Sequence, residues 1–183
     1  MRYIPCDLDQ RTILPQTPDH MRPLSSRILL LICTAFLTTV QAAAQGNPIQ
    51  LALFPPVQLV PENESVAGLR LSLIYGRNAN MTGFDWGLVT KTDGQFTGVQ
   101  WGFVGIVDRN FVGWQANMVS FTNRNVTGVQ SAAFYNYADH VNGLQISLVN
   151  SAGSMKGIQI GIINIIKSGG FMPIFPIVNW GGL

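Results

Sequence analysis

From Gly68 to Ser168 apolar and polar residues alternate in short bursts that restart at a fixed interval. Gly68, Gly83, Gly98, Gly113, Gly128 and Gly143 are each fifteen residues apart, and Gly157 follows fourteen later. Aligned on these glycines, GVQWGFVGIVDRNFV (98–112) and GIQIGIINIIKSGG (157–170) are two of seven units. Positions two, four and six of a unit are mostly apolar, as in Val99, Trp101 and Phe103. Positions three and five are polar or small, with glutamine at position three in Gln100, Gln115, Gln130, Gln145 and Gln159. Alternation of period two predicts a strand with unlike faces. Position seven is apolar again (Ile74, Val89, Val104), which breaks the alternation and predicts a bend. Turn formers such as Thr92-Asp93-Gly94 occupy the middle of the unit. A second apolar anchor follows at Met81, Phe96, Phe111, Val126, Val141 and Met155. No unit carries a 3.6-residue period, so the repeat predicts an all-β domain.

Two architectures use such strands. In a parallel β-solenoid each unit is one coil and like positions stack ~4.8 Å apart. In a small antiparallel β-barrel successive strands reverse, and membrane barrels alternate short turns with long loops. That alternation would give a thirty-residue super-period, and odd and even units here share one length and one turn position. Strands of six or seven residues also fall short of the roughly 9–11 that a membrane barrel needs. The pattern therefore favours a parallel solenoid of about seven coils, with the barrel as the alternative. Stacked glutamines would form an amide ladder along the axis. Positions two, four and six are expected to face the core, which makes Phe84, Trp86, Trp101, Phe103 and Trp114 core residues. Facing outward instead, they would form an apolar stripe for a partner or a membrane.

The segments flanking the repeat differ from it. Residues 45–67 and 171–183 are Pro-rich and off-period, and are expected to cap the open edges of a repeat domain spanning 68–170. Residues 28–44 (ILLLICTAFLTTVQAAA) are uncharged, follow Arg22 and Arg27, and end in small residues. That is the layout of a secretory leader, so 1–44 is read as a signal-peptide region and the product as exported. Met21 would begin a more ordinary leader than Met1. Cys6 and Cys33 both precede the expected cleavage site, so the mature chain would hold neither a disulfide nor a cysteine-ligated metal. It would carry thirteen charged side chains in 139 residues, a sparse surface for a soluble protein. A net charge of +2 for the whole chain offers nucleic acid no basic footprint.

Candidate chemistry is thin. His140, beside Asp139, is the one histidine after the leader, and a Ser-His-Asp arrangement would need Ser120 or Ser151 brought next to it. Asp93, Asp108 and Asp139 lie in the turn halves of their units and could line one edge, but their spacing matches no calcium motif. No phosphate-binding glycine loop is present. No catalytic, cofactor-binding or metal-binding residue is assigned, and no cofactor.

The units of form GxQxGxVN, the entry GLRLSLIYGRNANMTGFDWGLV (68–89) and the ending FMPIFPIVNWG (171–181) resemble the bacterial surface-repeat proteins of the LA_2272 type, first named from Leptospira. The similarity covers residues 51–181, and this chain departs from it at Arg70 and Asp85, which stand in the glutamine column. The resemblance implies export, repeats and an envelope location, and implies no activity. The expectation is a non-enzymatic envelope protein in the periplasm, outer membrane or cell surface. It would act as a structural element or binding surface for an envelope or extracellular partner, with association to a membrane as a further prospect.

Overall fold

The computed structural model describes residues 46–182. Within them the chain is all-β, in a single eight-stranded sheet. Its strands are β1 (Asn47–Phe54), β2 (Val57–Gln58), β3 (Val66–Asn78), β4 (Met81–Thr92), β5 (Phe96–Val107), β6 (Phe111–Ile146), β7 (Val149–Ser168) and β8 (Ile174–Gly181). From β1 to β7 successive neighbours pair in parallel, like position against like position: Gly83 lies against Gly98, Asp85 against Gln100 and Trp86 against Trp101. The product is a β-solenoid of about eight coils, and the antiparallel barrel is not formed. β1 supplies the coil beyond the seven legible in sequence, because Gln50 pairs with Arg70 and Leu51 with Leu71 although the spacing there is off-period.

Each coil turns where the sequence punctuates it. Pairing lapses around position six, between Gly87 and Val89 against Gly102 and Val104, at the predicted bend. The first glycine of each unit marks another corner. At Gly98 φ is +133°, and a side chain there would run into the carbonyl of Gly83 one coil below. Both open edges carry antiparallel strands, β2 beside β1 and β8 beside β7. Residues 1–44, with the expected leader, its cleavage site and both cysteines, lie outside the described residues.

The interior has two halves. One is apolar: Met81, Phe96, Phe111, Val126, Val141 and Met155 stack in a buried file, as the second anchor in each unit predicts. Phe96 and Phe111 stack with ring centroids 5.0 Å apart. The other half is polar. Arg70, Asp85 and every glutamine of the position-three column are fully buried, as are Ser72, Thr90 and Ser120. The expectation that positions two, four and six face the core is therefore overturned. Trp86 is 42% exposed, Trp101 57%, Phe103 51% and Trp114 52%. Strand alternation requires unlike faces, and here the amide face points inward because each amide of the stack donates to the one before it and accepts from the one after, which leaves only the oxygen of the last, Gln159, without a partner.

Candidate functional site

Two features stand apart from the ordinary packing: a polar ladder inside and an apolar face outside. The ladder begins with an ion pair. Arg70 Nε donates to Asp85 Oδ1 and Nη2 to Oδ2, both at 2.7 Å, with both side chains wholly buried. Nη1 reaches Asn78 Oδ1 at 3.5 Å and the Lys91 carbonyl at 3.1 Å, and Nη2 also reaches Thr92 Oγ1 at 3.1 Å. The five N–H groups of the guanidinium are thus all used, the condition for burying a cation. Gln100 Nε2 then donates to Asp85 Oδ2 at 3.1 Å. Gln115 donates to Gln100 at 2.6 Å, Gln130 to Gln115 at 2.9 Å, Gln145 to Gln130 at 2.6 Å and Gln159 to Gln145 at 2.8 Å. Every amide donates toward the N-terminal end, so the side-chain dipoles add and their positive end meets the carboxylate of Asp85. A shorter ladder runs the other way: Asn136 donates to Asn150 at 3.0 Å and Asn150 to Asn164 at 2.9 Å. The two departures from the glutamine column noted in the sequence are therefore the charge-compensated start of the same ladder.

Outside, positions two, four and six of every coil form one apolar sheet face. It starts with Ile49, Leu51 and Leu53 on β1, crosses the aromatic rows of β4 and β5, and ends with Ile158, Ile160 and Ile162 on β7. Val178 and Trp180 of β8 continue it, opposite Ile160 and Ile158. No charged residue occupies these positions. The face has relief. Between Phe84, Val99, Trp101 and Trp114 lies a cleft of about 420 Å³ floored by Ala116. A shallower hollow of about 300 Å³ sits over Ser131 and Ala133, walled by Trp101, Met118 and Ile146. Trp114 Nε1 donates to Ser131 Oγ at 2.9 Å, which fixes the indole at the edge of that hollow. A chain of surface ion pairs lies on the turn edge instead, where Arg77 bridges Glu62 and Asp93 and Lys91 bridges Asp93 and Asp108. The Asp93 carboxylate raises the Arg77 pKa, first through their hydrogen bond and then through its charge.

The sequence-level candidates for chemistry are not brought together. His140 Nδ1 lies 2.6 Å from Ser154 Oγ, a serine the sequence reading did not single out. Asp139 accepts instead from the Tyr137 hydroxyl at 3.0 Å, and that bond, with burial second, raises the Tyr137 pKa. Ser120 is buried, accepting from Asn117, and Ser151 is buried in the strand beside Tyr137. Asp93 and Asp108 are held by Arg77 and Lys91. Among the described residues no three His, Cys, Asp or Glu side chains gather as a metal site. The outward face is the feature that the reading of the repeat as core-facing missed. Its signal was present in the scarcity of charge and in a polar column too regular to be solvent-facing by accident.

Comparison with protein-family models, with curated proteins and with solved structures finds no match to this chain.

Proposed function

We propose that this is an exported, non-enzymatic repeat protein of the cell envelope, working as a structural element or binding surface through the apolar sheet face. The observation that carries the reading is the continuous, uncharged outer face with Trp86, Trp101 and Trp114 standing in it. A monomeric soluble protein rarely exposes so large a contiguous apolar area, and such patches mark interaction sites. The leader-like segment at 28–44, the thirteen charges of the remaining chain and the resemblance to surface-repeat proteins support an envelope location.

The test is fractionation of the protein from the cells that make it, with N-terminal sequencing of the product. The expected result is a chain that begins near Gln45 and sediments with the envelope. A double substitution on the outer face, Leu71→Asp with Trp101→Asp, is expected to shift it several-fold toward the soluble fraction. Recovery of the whole chain from the cytosol, leader intact, would overturn the proposal.

A further inference from the structure

We infer that the apolar face is closed by a second copy of this chain, packed face to face about a two-fold axis that runs along the strands of the central coil. The inference rests on reading this face as a binding surface and goes on to name its occupant. The size of the face suits a second copy. The face spans β1 to β8, nine strand rows of about five residues, roughly 38 Å by 17 Å from standard strand spacings, or about 650 Å². A stable interface buries ~800 Å² per partner.

The relief of the face suits it as well. The nine rows have Trp114, Ala116 and Met118 at their middle. A two-fold along that row turns the stack end for end and leaves the strand direction unchanged, so each row meets its mirror in the count. The row of Trp101 and Phe103 then lies on the row of Ser131 and Ala133. The two largest outward side chains of β5 thus face the hollow, and the hollow of the partner receives them in return. Row by row, Trp86 falls on Ile146, Leu71 on Ile160, and Leu51 on Val178. An isologous contact needs this kind of self-complementarity.

The placement of the tryptophans separates a protein from a lipid surface. Of the four outward tryptophans, Trp86 and Trp101 stand at position four, in the middle of the stripe, Trp114 at position two of its central row, and Trp180 at the edge beside Ile158. Proteins seated in a bilayer interface concentrate tryptophan at the headgroup level, along the rim of the apolar band. Aromatic anchors at the centre of a patch are the arrangement of protein interfaces.

The experiment uses the full chain, purified without detergent, in sedimentation velocity across a dilution series, paired with flotation on phosphatidylcholine vesicles. The expected result is a dimer. Ala133→Phe, which fills the hollow, and Phe103→Ala, which empties the projection, are each expected to raise the dissociation constant at least ten-fold. The swap carrying both is expected to recover most of the loss, because each copy then offers the projection where the other offers the space. Circular dichroism of all three variants checks that the β signature is unchanged. A monomer that floats with the vesicles would overturn the second copy while sustaining the binding face. A monomer that stays in solution would overturn both. A dimer indifferent to both single substitutions would place its interface elsewhere and overturn the inference.

Discussion

Arg70 and Asp85 are both wholly buried, 2.7 Å apart, in a column otherwise built of neutral amides. Burying two ions costs several kcal/mol each, repaid only when geometry and the remaining hydrogen bonds are good. Here they are: the guanidinium uses all its donors, and the carboxylate accepts from Gln100 besides. Asp85→Ala strands the cation and is expected to cost about 3–5 kcal/mol in urea unfolding. Replacing both residues, Arg70→Gln with Asp85→Gln, extends the amide column by two rungs. It is expected to be neutral or mildly stabilising, because well-fitted neutral groups often match a buried ion pair. A double variant as unstable as Asp85→Ala would show that the pair is indispensable and not one of two workable starts.

At the level of the coil, the first glycine of each unit carries the corner. Two constraints coincide at Gly98: a φ of +133°, which side chains with a Cβ rarely adopt, and the Gly83 carbonyl pressed against the space a Cβ would fill. Gly98→Ala is expected to destabilise by more than ~1 kcal/mol, since neither strain nor overlap can relax without parting two coils. Gly169 isolates the conformational part. Its φ is +73° and nothing lies within 4 Å of where a Cβ would stand. Gly169→Asn is therefore expected to stay within about 0.5 kcal/mol of the parent in the same unfolding assay, asparagine being the side chain that best tolerates this region. Equal losses at the two positions would mean that overlap between coils plays no part.

For the stack as a whole, each coil touches chiefly its two neighbours, so stability is a sum of layer-to-layer terms with the ends weakest. Hydrogen exchange is expected to be slowest in the coils of Gln115 and Gln130 and to quicken toward β1 and β8. Uniform protection from end to end would contradict that layered picture. Much of this architecture was legible in the residues. The fifteen-residue glycine interval carried the coil, the lack of a super-period carried the parallel stack, and Met81, Phe96 and Phe111 carried the apolar file. Sidedness could not be read from the alternation alone, which declares two faces without saying which is inside. The usual guide, apolar within and polar without, fails where buried amides satisfy one another, as Gln115 and Gln130 do. The partners of Arg70 were hidden for a related reason: Asp85 stands fifteen residues away, and only the stacking of coils makes them adjacent.

The direction of the amide ladder has a kinetic meaning. A chain is synthesised from its N-terminus, and Asp85 is finished before Gln100 exists. The carboxylate then waits as an acceptor for the first amide, whose own oxygen waits for Gln115, and so on to Gln159. Along the glutamine ladder the newcomer brings the proton and the layer already laid down supplies the lone pair, and along Asn136, Asn150 and Asn164 the roles are exchanged. The solenoid can thus be laid like courses of brick, every course carrying the template for the next.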